Sequence, residues 1–240
     1  MKRNNLSKMA LMMCLIIGFV HSDLVAQRGG ETIDLPTFDG ISLGVAGTVH
    51  LKQGNNQEVI VETSEKMRER ITFEVEGGTL QIKNKRKFNN WNWSSRDRLD
   101  IYITIKEVEA LKVGGSGKII SETTLEANDL GLYVSGSGKI EIDTKAEDLV
   151  SKISGSGTIE IEGTGKFNDV SISGSGRLNA EDFECEEYDI AISGSGNCRV
   201  HVNSRIEARI SGSGNVYYRG NPDKVISKVS GSGKLRKAGR

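Results

Sequence analysis

A tetrapeptide, Ser-Gly-Ser-Gly, recurs through the second half of this chain at a nearly constant interval, and that interval restricts the fold more than any other feature. Copies begin at Ser135, Ser154, Ser173, Ser193, Ser211 and Ser230, and a variant with Gly in the leading place covers Gly114–Gly117. The first glycines of the seven GSG units are Gly115, Gly136, Gly155, Gly174, Gly194, Gly212 and Gly231, separated by 21, 19, 19, 20, 18 and 19 residues. A period near twenty is the mark of a solenoid, in which each repeat stacks on the one before.

The residues around each GSG say what the repeat is made of. With its first glycine as position 0, position −2 holds Val113, Val134, Ile153, Ile172, Ile192, Ile210 and Val229, all β-branched. Position +4 holds Ile119, Ile140, Ile159, Leu178, Cys198, Val216 and Leu235. Position −6 is apolar in Leu130, Leu149, Tyr188, Ile206 and Val225, with Asn168 as the exception. The apolar positions share one parity, which is the period of a strand with one buried face. Odd positions are polar, as in Lys118, Lys139, Arg177 and Asn197 at +3. A repeat this short has no room for a crossover helix of about 10–12 residues with its loops. The strands therefore stack in parallel about 4.8 Å apart. The expectation is an all-β, single-stranded parallel β-helix with coils of about nineteen residues and short links such as Thr144–Asp148 and Asn221–Lys224. Two readings fit the GSG itself. The glycines let the wall bend or approach its neighbour closely. Alternatively, the serines at −1 and +1 form two outward ladders for subunit packing, a glycan or ordered water.

Residues 1–26 read as a signal peptide. Lys2, Arg3 and Lys8 precede the apolar run Met9–Val20, and Ala26 offers a small residue before a cut at Gln27. That run is shorter than the ~20 apolar residues a membrane span needs. Cys14 lies inside it, without the small residues that precede a lipidated cysteine. Residues 27–110 form an irregular β region. Val45-Ala46-Gly47-Thr48-Val49 is a degenerate GSG unit, Val59–Glu62 a short strand and Ser64–Arg70 a helical turn. Ile71–Val75 and Thr79–Lys83 flank a Gly77-Gly78 hairpin signal. These coils cap one end of the helix, and residues 111–240 form the regular GSG-repeat part, continuous with them as one domain. At the other end Lys234, Arg236, Lys237 and Arg240 put charge on the last edge.

Asn84–Arg98 reads as a long loop that carries both tryptophans. Arg86, Trp91, Trp93 and Arg96 are the candidate ligand-binding residues, because aromatics beside basic groups suit carbohydrate stacking or anions. The other reading has the tryptophans covering the open end of the solenoid or packing at a subunit contact. Asn92-Trp93-Ser94 fits a glycosylation acceptor. Cys198 occupies an inward column and Cys185 a corner. Their spacing of 13 does not match the coil period, which favours two buried free thiols over a disulfide. The formal net charge is zero, so no bulk attraction to nucleic acid is indicated. There is no Cys/His metal spacing, and Asp143 stands alone where a calcium β-roll would place Asp in every repeat.

Phe38-Asp39-Gly40-Ile41, the Val45–Leu51 strand followed by Lys52-Gln53-Gly54, Gly78-Thr79-Leu80-Gln81-Ile82 and the seven GSG coils together resemble the head GIN domain family of autotransporter-type adhesins. The resemblance covers roughly Phe38 to Arg240. It implies a right-handed parallel β-helix in the envelope of a Bacteroidetes-like bacterium. Nothing in the sequence resembles a translocator barrel, so self-export is not expected. Three functions are weighed. The first is a non-catalytic envelope protein, an adhesin or structural module, exported to the periplasm, the outer-membrane surface or the medium. It needs no cofactor, and its partners would be surface glycans, another envelope protein or a second copy. The second is a polysaccharide-binding or polysaccharide-active β-helix protein. Glu141 and Glu160 are neighbours in one column, but the next members there are Asn179 and Arg199, and a like-charge pair on a solvated wall is not a converging acid–base pair. The third is a repeat-bound ligand, calcium or ice.

Overall fold

The computed structural model describes residues 30–85 and 98–239. Its regular part is built from long strands that each lead into a GSG, and those from β11 to β14 run unbroken from one GSG to the next. They are β10 (Leu125–Gly136), β11 (Lys139–Gly155), β12 (Thr158–Gly174), β13 (Arg177–Gly194) and β14 (Asn197–Gly212). Neighbours pair in parallel with like positions aligned: Ile153 on Ile172, Ser154 on Ser173, Gly155 on Gly174. The expected parallel β-solenoid is the fold. The even columns are its dry interior, and Ile140, Ile159, Leu178, Cys198 and Val216 are all fully buried. Asn168 is fully buried too, so the polar exception keeps its inward parity.

The segment read as the link Thr144–Asp148 is not a loop. Thr144, Lys145 and Ala146 pair in register with Leu125, Glu126 and Ala127 below, and Asp148 with Asp129. A corner in a solenoid keeps its ladder partners in the next coil, so backbone pairing survives where the chain turns. Uneven steps are absorbed at this corner. Where the period grows from 19 to 20, Glu160–Glu162 opposes Asn179–Asp182, a one-residue bulge. Where it falls to 18, register shifts lie between Ala180 and Glu184 and between Cys185 and Glu187. The wall that leads into GSG therefore stays aligned in every coil.

The N-terminal region joins the same stack. β2 (Gly40–Leu43) lies parallel to β8 (Ala110–Gly115) and β6 (Thr79–Asn84). β3 (Thr48–Gln53) lies parallel to β9 (Lys118–Ser121) and β7 (Leu99–Ile105). Val49 aligns with Ile119, which sets Val45-Ala46-Gly47 in the place of a GSG corner, as the degenerate unit suggests. The pattern then reverses. β5 (Ile71–Glu76) turns back on β6 as an antiparallel hairpin. β4 (Glu58–Thr63) runs antiparallel to β7, and β1 (Glu31–Thr32) pairs antiparallel with β4. The expected helical turn is α1 (Glu65–Arg68), N-capped by the Ser64 side chain, with Met67 buried against this end. The far end closes with β15 (Asn215–Arg219), β16 (Lys224–Gly231) and β17 (Lys234–Lys237).

Candidate functional site

The GSG corner fixes what the surface beside it looks like. The first glycine of each unit has positive φ, from +94° at Gly115 to +123° at Gly231. Its carbonyl accepts the N–H of the next coil's +1 serine: Ser156 N–H donates to Gly136 O at 2.9 Å and Ser175 N–H to Gly155 O at 2.8 Å. The second glycine lies inside. A Cβ at Gly176 would sit 2.4 Å from Ile153 Cγ2, and one at Gly196 would sit 2.5 Å from Ile172 Cγ2. The branch of each −2 residue thus fills the space left by the second glycine one coil on, which is why that column is uniformly Val or Ile. Both glycines have structural duties, and both serine columns are left exposed, as in Ser154 and Ser156.

Of the two outward serine ranks, the −1 serines line a recess. Ser135, Ser154, Ser173, Ser193, Ser211 and Ser230 form one side of an open external groove of about 1270 Å³ that crosses every GSG coil. The other side is position −3, which has the same outward parity: Lys112, Tyr133, Lys152, Ser171, Ala191, Arg209 and Lys228. Sequence reasoning isolated the serine ladder and missed this second rank. The signal was present, two residues upstream of each leading serine, but the column mixes residue types and has no motif. A smaller recess of about 760 Å³ lies beside it, lined by Glu107, Glu109, Glu126, Asp129 and Asp148, and Tyr133 borders both. The candidate residues Arg86, Trp91, Trp93 and Arg96 lie outside the described residues.

The wall leading away from GSG has a different chemistry. Glu141 receives Lys118 at 2.9 Å and Lys139 at 3.0 Å, and Glu160 receives Lys139 at 2.6 Å. Hydrogen bonds from Lys118 and then Lys139 hold the Glu141 carboxyl below its ordinary range. Burial works against the Lys139 ammonium, yet its bonds to Glu160 and Glu141 raise it. Both carboxylates are thus ion-paired to lysines, and Glu141 is lowered rather than raised as a general acid requires. Asp143 is also engaged, accepting from Thr124 Oγ1 at 2.6 Å. Nearer the N-terminal end His50 stacks on Tyr102 with ring centroids 4.7 Å apart. Its ring nitrogens face Asp100 at 3.4 Å and Glu122 at 3.2 Å, so both are occupied by neighbours. Among the described residues no group of three or more His, Cys, Asp or Glu is placed to hold a metal ion. No helix among them is long and apolar enough to cross a membrane.

Cys185 and Cys198 are free and buried, as expected. Burial pushes the Cys185 thiol up to about 12 and raises Cys198 further.

Stacked parallel coils with a packed interior and an external groove define a β-solenoid whose distinctive chemistry lies on its outer wall. The chain belongs to the family described as "Putative auto-transporter adhesin, head GIN domain", whose model matches residues 37–222. Similar solved structures include an adhesin, so described provisionally, from Bacteroides fragilis. It has 19% identity and a TM-score of 0.81, covering 87% of this chain and 96% of that one. Another, described as a "putative lipid binding protein" from Parabacteroides distasonis, shares 27% identity with a TM-score of 0.70, over 88% and 96%. A "putative adhesin" from Parabacteroides merdae shares 20% with a TM-score of 0.68, over 88% and 95%. No curated protein matches the chain.

Proposed function

We propose that this chain is an exported, non-catalytic interaction module of the adhesin type, which presents the outer wall of a rigid solenoid to a surface glycan or another envelope protein. The observation that carries this reading is the groove along the GSG side, continuous over seven coils and flanked by the outward −3 and −1 columns, with the −2 Val and Ile column between them. The ion-paired state of Glu141 and Glu160 supports a non-catalytic role over the polysaccharide-active alternative. Export rests on the segment 1–26, with cleavage before Gln27. Residues 27–110 and 111–240 are read as one continuous domain, which the β2–β8 and β3–β9 pairings support. Arg86, Trp91, Trp93 and Arg96 are proposed as a second contact.

Binding of the purified protein to intact cells and to a glycan array tests the reading. Binding to at least one surface polymer or envelope partner is expected, and weaker binding by the Trp91→Ala/Trp93→Ala variant would place the second contact. No binding to any surface and no captured envelope partner overturns the proposal. Depolymerisation of a polysaccharide, abolished by Glu141→Gln or Glu160→Gln, would replace it with the enzymatic alternative.

A further inference from the structure

What sets the groove apart is its lining. Lys52 pairs with Glu122, Lys83 with Glu74 and Glu76, and Lys166 with Glu147, while Lys118 and Lys139 are held as above. Lys106, Lys145, Lys224 and Lys234, like the groove lysines, have no carboxylate partner among the described residues. Among the described residues no ion pair joins Lys112, Lys152 or Lys228 to a carboxylate, and no Asp or Glu lines the groove. Lys112 instead sits 5.7 Å above the Tyr133 ring. Arg209 is the exception, held by Asp189 at 2.8 Å and Glu207 at 2.5 Å. Three ammonium groups facing water along one trough whose lining holds no carboxylate make it locally positive on a chain of zero net charge, with the acidic recess adjoining it at Tyr133.

Their separations are whole numbers of coil spacings. Lys112, Lys152 and Lys228 stand in the first, third and seventh GSG coils, so they lie about 10 Å and about 19 Å apart at a coil spacing of about 4.8 Å. Facing them is a rank of serine hydroxyls in strict register, Ser135 on Ser154 on Ser173 and onward to Ser230. Each hydroxyl can both donate and accept.

We infer that the groove binds an extended acidic polysaccharide lying parallel to the solenoid axis. Its acidic groups pair with Lys112, Lys152 and Lys228, and its sugar hydroxyls exchange hydrogen bonds with the serine rank. This inference rests on the proposed role as a surface-binding module and names the ligand class for it. A polymer fits better than an anionic lipid for two reasons. The groove is open along about 29 Å, six coil spacings, and does not enclose an acyl chain. Its polar groups also repeat once per coil, which only a ligand with its own repeat can match.

The test is titration of the purified protein with polygalacturonate, neutral dextran and phosphatidylglycerol vesicles. Polygalacturonate is expected to bind at low salt and to weaken between 50 and 300 mM salt, as charge pairing at exposed groups requires (roughly one Debye length of 10 Å at 0.1 M). Lys112→Gln/Lys152→Gln/Lys228→Gln should lower that affinity about tenfold or more. Lys118→Gln/Lys139→Gln/Lys166→Gln, which removes the same charge elsewhere, should change it less than about twofold. All six side chains reach solvent, so both variants keep the fold, which circular dichroism verifies. Equal losses in the two variants, equal binding of dextran, or binding of vesicles but not polygalacturonate each overturn the inference. If cells are still bound and polygalacturonate is not, the ligand assignment falls while the surface-binding role stands. If neither is bound, both fall.

Discussion

At the scale of single residues, the two glycines of each GSG are needed for different reasons, and substitution separates them. Gly155 has φ +117°, and a Cβ there would lie 2.6 Å from the Gly136 carbonyl oxygen, so alanine meets both backbone strain and an immovable atom. Gly115 shares the backbone state at φ +94° but has nothing within 4 Å of a built Cβ. Gly115→Ala should therefore cost about 1–2 kcal/mol, the penalty of a left-handed backbone alone. Gly155→Ala should cost roughly 2–4 kcal/mol, since strain and overpacking add. Urea denaturation measures both, and equal costs would show that the stacked carbonyl yields. The thiols make a second prediction. Cys185 donates to the Glu187 carbonyl at 3.3 Å inside a buried corner. Its folded-state pKa of about 12 lies above the ordinary 9.0, so the unfolded chain loses its proton first. Its contribution is intact below pH 9, and stability falls as pH climbs from 9 towards 12. A thiol reagent at pH 8 should label neither cysteine in the native protein and both in denaturant. Labelling of the native protein, or a Cys185–Cys198 disulfide found by mass spectrometry, would contradict this.

At the scale of the coil, the repeat works as a diagonal lock: the β-branched residue at −2 of one coil occupies the space above the second glycine of the next. Ile153 and Gly176 are one such pair, with Cγ2 placed 2.4 Å from a built Cβ. Ile153→Ala should cost about 2–4 kcal/mol through the cavity it leaves, and Gly176→Ala a similar amount through the clash. Because the first change removes the atom that the second would strike, the double variant should be at least about 1 kcal/mol more stable than the sum predicts. Additive costs would mean that the Gly157 carbonyl, 3.1 Å from the same point, is the true obstacle. The strict parity of Val134, Ile153 and Ile172 made the inward face legible before any coordinates, and the spacing of GSG made the stack legible. The diagonal lock was hidden, because it joins residues whose relation depends on the offset between coils. The corner from Thr144 to Ala146 was misread as a link for a related reason. It has no local strand pattern of its own and is strand only because the coil below offers ladder partners. The site was the least legible part. The serine ladder announces itself by repetition, whereas Lys112, Lys152 and Lys228 are 40 and 76 residues apart and become neighbours along a groove only when six coil spacings are stacked in register.

At the scale of the whole molecule the two ends are unlike. The N-terminal end is closed by antiparallel strands and by Met67. In the last coil Val225 and Val229 occupy the columns of Ile206 and Ile210, yet they are 45% and 42% exposed while those two are buried. Among the described residues β16 and β17 have ladder partners only in β14 and β15, which leaves one edge of each without a described partner. In a stack held by nearest-neighbour contacts, an end coil with one neighbour has about half the interface energy of an interior coil. An open parallel edge with exposed valines would also template another strand. The protein answers this with charge, for Lys224, Lys228, Lys234, Arg236 and Lys237 are all exposed on these last two strands. Like charges meeting across a shared edge repel, so two C-terminal ends cannot pair cheaply. Replacing Lys234, Arg236 and Lys237 by serine removes that protection without touching a buried side chain or the groove lysines. The variant should keep its melting temperature to within a few degrees, as solvent-exposed substitutions do. It should also associate in a concentration-dependent way that sedimentation velocity detects at physiological salt, where the wild type stays in one state. If the variant sediments as the wild type does at every concentration, the charged edge is not what keeps the open end from pairing, and the twist of the last coil must do so instead.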